Sequence, residues 1–322
     1  MQAILAVTVP FFALVLCGYL AARQRVLPES AIPGLNAFVL YFALPCLLFR
    51  FGMNTPLGQL LNPMVLAVYL ASALAIVAFT IAVTLSPAVA MKDAAFGALV
   101  AAFPNTGFMG VPLLVALLGA AAAGPVISSV LADLFVTSSL CIALAQANEA
   151  KGAGARSAAA KVLRGTLTNP LPWAIALGAA ASAAGLKLAG PPEVIVRMLA
   201  DAASPVALFT IGAVLWRAGQ HAHTRTPPAR YLPVAAIKLF VHPLLVFALC
   251  AAARSFGASL STLEVTVLTL AAALPSASNV SLLAERYGAD NGRIARIIMA
   301  STVLAFASFT LLAWAFGATV AH

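Results

Sequence analysis

Charge is what this sequence has least of. Only 8% of its 322 residues are Asp, Glu, Lys or Arg, against about 25% in a soluble domain, while 63% are hydrophobic. That shortage excludes a soluble enzyme or binding domain, and no stretch between the apolar runs is long enough to build one. Acids are scarcer still: nine Asp and Glu in the whole chain, in no metal-binding cluster. No serine has a histidine at a nucleophile spacing, so no enzymatic activity is expected. The four cysteines, Cys17, Cys46, Cys141 and Cys250, lie inside apolar spans without ligand-type spacing. They read as small buried hydrophobes, not as a disulfide framework or a metal site. A basic region is missing from the N-terminus too: in MQAILAVTVPFFALVLCGYLAARQR the arginines follow the apolar run, the pattern of a retained first span instead of a cleaved signal. The net charge is +9, yet no basic face interleaved with aromatics appears, which excludes nucleic acid as a partner.

What the chain has in quantity is apolar length. A helix needs ~20 apolar residues to cross the hydrocarbon core, and ten segments meet that length: 2–22, 31–51, 63–85, 92–118, 125–148, 169–187, 192–217, 231–253, 261–285 and 293–318. The expected fold is an all-α integral membrane protein of ten transmembrane helices, with the lipid bilayer as its partner. Loops after odd-numbered spans hold 13 Lys and Arg, and loops after even-numbered spans hold 4. The positive-inside rule therefore places the odd loops in the cytoplasm and both termini outside.

The sequence repeats weakly. ALPCLLFRFG (43–52) and ASPVALFTIG (203–212) share the frame A-x-P-x-x-L-F-x-x-G. Asp93 and Glu264 each stand eleven residues before a proline, Pro104 and Pro275, and Pro63 and Pro233 open the third and eighth spans. The offsets are 160, 171 and 170 residues, so five spans repeat as five. Five is odd, and the second copy runs upside down, a plan used by secondary transporters. The expected division is 1–148 for the first repeat, 149–167 for a short basic cytoplasmic linker that looks merely connective, and 168–322 for the second repeat.

Two spans contain breaks. In AAFPNTGFMGVPLL (101–114) Pro104 removes a backbone donor and Gly107 and Gly110 loosen the chain. In lipid the freed groups cost several kcal/mol unless protein or water satisfies them, so the break should line a cavity. Residues 92–103 rise ~18 Å, which sets the break near the midplane. LPSASN (274–279) does the same in the ninth span. New half-helices are expected to start near Asn105–Thr106 and Ser276–Ser278, residue types that cap well. Each start carries roughly half a positive charge, a setting for a carboxylate, with Asn105 and Asn279 as amides that read it. The opposite, finishing ends expose carbonyls that suit a cation or a proton-linked water. The simpler alternative is a pair of proline kinks used for packing.

Charges within spans are costly and functional by default. Asp133, Asp201, Lys238 and His242 qualify. Asp133, beside Ser138 and Ser139, is the strongest candidate for proton or cation coupling, with Lys238 and His242 one turn apart in the eighth span. An Asp201–Lys238 ion pair is the structural alternative. Asp93 and Glu264 read as first-turn acids that favour the helix dipole. His221 and His223, in a cytoplasmic loop, read as solvated and not as metal ligands.

PNTGFMGVPLL (104–114) resembles the broken-helix signature of the auxin efflux carrier family, which includes plant PIN-type carriers and bacterial organic-acid carriers. NAFVLYFALPCLLF (36–49), TNPLPW (168–173), SPVALFTIG (204–212), HPLL (242–245) and LPSASNVSLLAERYG (274–288) fit in order, so the resemblance covers nearly all of the chain. It implies ten helices in two inverted five-helix repeats with crossing broken helices 4 and 9, the plan of sodium–proton antiporters and bile-acid transporters. It also implies a scaffold bundle, a moving bundle and a homodimer through the scaffold. Carried over, Pro104 and Asn105 form one crossover and its substrate-facing amide, and Pro275 and Ser276 form the other; Thr106, Gly107 and Asn279 beside them are also expected to bind substrate. Asn36, Asn169 and the polar face around Asp133 approach the pocket. The central loop is short, unlike that of plant PIN carriers, and aromatic residues near the motifs are few, which disfavours an indole acid such as auxin. The expected function is secondary active transport of a small organic anion, a mono- or dicarboxylate such as malonate or malate or, less favoured, an auxin-like acid, bound at the crossover of helices 4 and 9, by alternating access in the bacterial inner membrane. Lys238 or His242 would supply a further positive partner for a dianion. No cofactor is expected beyond Na+ or H+ as coupling ion. The rival expectations are a cation–proton antiporter of the same fold and a membrane sensor that binds without transporting.

Overall fold

A computed structural model describes residues 1–55, 58, 62–146, 169–220 and 226–317; the predicted linker and the His221–His223 pair lie outside them. The described residues are helical, with two isolated β-bridges and no strand. In order the helices are α1 (Gln2–Arg23), α2 (Ile32–Phe38), α3 (Leu44–Asn54), α4 (Pro63–Thr84), α5 (Met91–Ala102), α6 (Val111–Leu118), α7 (Ala123–Ala132) and α8 (Ser138–Gln146). Then come α9 (Pro170–Ala183), α10 (Pro191–Gln220), α11 (Pro228–Ala236), α12 (His242–Ser255), α13 (Thr262–Ala272), α14 (Val280–Arg286) and α15 (Asn291–Ala315). Short π-helical turns at Val39–Ala43, Asp133–Thr137 and Ile237–Val241 join α2 to α3, α7 to α8 and α11 to α12, and a fourth, Thr106–Gly110, leads into α6.

Seven helical stretches are long and apolar enough to cross a membrane: Gln2–Arg23, Glu29–Asn54, Pro63–Thr84, Ala120–Gln146, Pro191–Arg217, Pro228–Ser255 and Asn291–Ala315. Thr106–Leu118, Pro170–Ala183 and Thr262–Ala272 are apolar but shorter. The predicted fourth and ninth segments are therefore not single rods. The sixth, expected over 169–187, is a 14-residue helix. Pro170 and the Asn169 cap start it, and Gly185, at φ +65°, takes the left-handed conformation that stops it.

Sequence-local signals position the helix starts. Asn62 Oδ1 accepts from the N–H groups of Met64 and Val65, with Pro63 as the first helical residue. Ser261 and Glu264 form a reciprocal capping box. Glu264 also accepts from Asn62 Nδ2 at 2.8 Å, and Asp93 Oδ1 accepts from the N–H of Asp290 at 2.8 Å. Both acids stand in the first turn of their half-helices, as expected, and in addition fasten those starts to neighbouring helices.

The helices pack in two groups. In one, α1 lies against α10 and α3 against α9, at backbone-to-backbone crossings where only glycine fits. A Cβ on Gly18 would fall 1.8 Å from the Phe209 carbonyl oxygen, and one on Gly212 would fall 1.9 Å from that of Val15. A Cβ on Gly178 would fall 2.3 Å from the Phe49 oxygen, and one on Gly52 would fall 2.8 Å from that of Ile175. Each residue of the first crossing has its counterpart in the second at an offset of 160 residues, the offset of the A-x-P-x-x-L-F-x-x-G frame. The other group comprises α4 to α8 and α11 to α15, with α4 on α5, α12 on α13 and α11 on α15.

Candidate functional site

The two broken helices meet. α5 ends at Ala102 and the π turn begins at Thr106; α13 ends at Ala272 and α14 begins at Val280. The unwound segments between them run antiparallel and pair at Pro104 and Ser276. The N–H of Asn105 donates to the Pro275 carbonyl at 2.8 Å, and that of Ala277 donates to the Phe103 carbonyl at 3.0 Å. Each break so supplies part of what the other loses, which meets the requirement that buried backbone groups find partners.

Side chains complete the repair. Ser276 Oγ donates to the Val100 carbonyl at 2.7 Å, inside the last turn of α5, and Ser301 Oγ accepts from the Ser276 N–H at 3.2 Å. The Thr106 hydroxyl and N–H both point to the Pro104 carbonyl. Asn105 differs. Its carbonyl accepts from the N–H groups of Met109 and Gly110, but its side-chain Oδ1 has no partner although the residue is only 3% exposed. Asn279 Oδ1 is likewise buried and unpartnered. Neither asparagine caps the turn that follows it. The second half-helix starts at Val280, later than the Ser276–Ser278 start expected from sequence, and has 7 residues. It is too short to contribute the full helix-end charge assumed from sequence.

Two small cavities follow the seam between the helix groups. One, of about 40 Å³, is lined by Asn36, Leu40, Phe108, Val214, Ser278 and Asn279. The other, of about 20 Å³, has Pro104, Asn105, Gly107, Phe108 and Asn279 in its wall, with Leu44 and Leu171 facing them from the first helix group. Each has room for about one or two waters. Of the residues anticipated at the site, the structure gathers Pro104, Asn105, Gly107, Asn279 and Asn36 around these cavities. Thr106, Pro275 and Ser276 sit beside them with their polar groups engaged. Asn169 is elsewhere, its Oδ1 accepting from the Leu171 N–H as the cap of α9. Phe108, shared by both cavities, escaped the sequence reading because nothing in a one-dimensional pattern sets it apart from packing residues, and Ser278, expected only as part of a half-helix start, lines the larger of the two.

On the other side of the crossover lies a buried polar cluster. Asp133, in the π turn after α7, accepts from the Tyr69 hydroxyl at 2.7 Å and from Thr137 Oγ1 at 3.0 Å. Ser138 Oγ donates to the Asp133 backbone carbonyl. Lys238 Nζ donates to the Ala272 carbonyl and lies 3.3 Å from His242 Nδ1. Tyr69, Asp133, Lys238 and His242 are fully buried. The expected alternative pairing of Asp201 with Lys238 is not formed. Asp201 Oδ1 accepts from Arg50 Nη1 at 2.9 Å in an exposed pair, because Asp201 and Arg50 lie on the two packed helices α10 and α3 while Lys238 turns inward in the other group. Tyr69 was missed: it stands in an uncharged apolar run, VLAVYLASALA, whose only polar groups are its own hydroxyl and that of Ser72.

Interrupted helices that meet inside an apolar helical protein are a plan used by secondary transporters, and comparison with known proteins shows the class. A family model described as "Membrane transport protein" matches residues 3–314, and the chain belongs to this family, the auxin efflux carriers. A protein of Rhizobium meliloti (strain 1021) named "Putative malonate transporter" is 29% identical over 316 residues, covering 96% of this chain and 95% of that one. The chain is also similar to the "Uncharacterized transporter YfdV" of Escherichia coli (strain K12), at 24% identity over 305 residues and 92% of each chain. An "Uncharacterized transporter" of Methanothermobacter thermautotrophicus is 25% identical over 304 residues, covering 92% of this chain and 93% of that protein.

Proposed function

We propose that this protein is a secondary active transporter of small organic anions, mono- or dicarboxylates of the malonate or malate kind, working by alternating access in the bacterial inner membrane. The observation that carries the reading is the pair of buried, unpartnered amide oxygens, Asn105 and Asn279, one beside each break and both on the same seam cavity. A buried amide without a partner is costly. An amide turned about its last torsion offers two N–H donors in place of the oxygen, which is what a carboxylate needs. The relative named for malonate supports the substrate class.

The rest of the reading is a ten-span protein of two inverted five-span repeats with both termini outside. Its supports are the charge asymmetry of the loops, the antiparallel pairing of Pro104 with Ser276 and the reciprocal glycine crossings at a common 160-residue offset. The α1–α3 and α9–α10 helices act as scaffold, and the remaining helices rock against them. The cavities of about 40 Å³ and 20 Å³ lie far below the ~300 Å³ of a ligand pocket, so the described conformation is an occluded one, and the seam opens to admit substrate. Coupling falls to the Asp133–Lys238–His242 cluster behind the crossover.

The test is uptake of radiolabelled malonate and malate into proteoliposomes by wild type and Asn105→Ala. Carboxylate uptake that falls at least tenfold in the variant at equal folded protein is the expected result. Wild-type vesicles that accumulate none of a panel of carboxylates, yet exchange protons for a cation, would replace this reading with a cation–proton antiporter.

A further inference from the structure

Broken membrane helices present two kinds of end. Starting ends offer N–H groups to anions, and finishing ends offer carbonyls to cations. Here the finishing ends are the last turns of α5 and α13. In carriers of the broken-helix plan such carbonyls help to coordinate the coupling cation. In this protein a side chain of its own stands against them. Lys238, held in the π turn Ile237–Val241, is completely buried and donates to the carbonyl of Ala272, the final residue of α13. One turn further, His242 lies against the lysine through Nδ1, at 3.3 Å. Its Nε2 is buried and makes no hydrogen bond.

The nearby carboxylate is engaged in the same manner. Both Asp133 oxygens accept from hydroxyls, Tyr69 on one and Thr137 on the other. A sodium ion at this place would need the Asp133 carboxylate and the Ala272 carbonyl among its oxygen ligands, and the Tyr69 and Thr137 hydroxyls and Lys238 Nζ already donate to them.

We infer that Lys238 is a tethered cation standing where a coupling sodium ion would bind, so that wild-type protein has no sodium site at the crossover and removal of the ammonium creates one. The inference rests on the transporter reading for its meaning, but its test needs no substrate. Purified wild type and Lys238→Ala are heated in NaCl and in choline chloride at matched ionic strength, and ²²Na+ binding is measured by equilibrium dialysis. The wild-type melting curves are expected to superimpose in the two salts, with no bound ²²Na+. Lys238→Ala is expected to melt lower in choline, to regain several degrees in NaCl with saturation, and to bind ²²Na+. Lys238→Arg, which keeps the charge, is expected to stay indifferent to sodium.

Saturable, sodium-specific stabilisation of wild type overturns the inference. So does a folded Lys238→Ala protein that binds no sodium. If Lys238→Ala does not fold, the wild-type and Lys238→Arg arms decide: sodium binding by either one overturns it, and its absence from both upholds the missing site. Failure of the organic-anion reading appears elsewhere, as absent carboxylate uptake, and leaves these sodium measurements unaffected.

Discussion

On one side of the crossover, where the Thr106–Gly110 turn and α14 begin, the amide oxygens of Asn105 and Asn279 are unpartnered and cavities run along the seam between helix groups. On the other side, where α5 and α13 end, a lysine, a histidine, a tyrosine and an aspartate fill the interior, and most of their polar atoms are matched. The same two broken helices build both. A helix break therefore has two separable uses. One side keeps polar capacity in reserve at a place able to open, whereas the other consumes its own in holding the break together.

The strongest way to break that contrast is on the filled side. Lys238→Met should lower stability by about 3–5 kcal/mol, the usual effect of leaving one member of a buried charge set alone, read as a fall in melting temperature in detergent. Asn105→Ala probes the reserve side and should behave in the opposite way. Substrate affinity should drop ten- to a hundredfold, about 1.4–2.8 kcal/mol, while stability holds or rises, because the side-chain oxygen it removes satisfies nothing in the folded protein. A loss of stability in that variant would show that Asn105 belongs to the packing. Ser276→Ala sharpens the boundary between the two: it deletes the bond to the Val100 carbonyl and should cost about 1 kcal/mol of stability with an unchanged substrate KM. Asn169→Ala is the smallest and most distant change. It removes the α9 cap and should cost about 1 kcal/mol or less, again with no effect on KM, so that a shift in KM would return Asn169 to the pocket.

Sequence carried the breaks well, because proline acts on its own backbone wherever it stands, and Pro104 and Pro275 announce themselves at matched positions. It also carried Asp93 and Glu264 as helix-start acids, since that role is set within one turn. What it lacked was rotation about the helix axis. Ser276 and Asn279 are both small, polar and next to a break, yet one turns back to mend α5 and the other faces the seam. Asp201 and Lys238 are opposite charges in adjacent spans, but they face different helix groups, and Arg50 takes the partnership instead. The π turns at Asp133–Thr137 and Ile237–Val241 were illegible for a related reason. An extra residue in a helical turn is accommodated by tertiary contacts with neighbours, and apolar periodicity does not register it.

The two glycine crossings have a consequence for the origin of such a chain. Gly18 finds its seat on α10 and Gly178 finds its seat on α3, so each five-span half stores its tightest contact surface in the other. On the inverted-repeat reading, a half-length ancestor could not have closed on itself: it needed a sibling inserted in the opposite sense. A present-day half expressed by itself should accordingly be cleared by membrane proteases, and two halves made together from separate messages should protect one another.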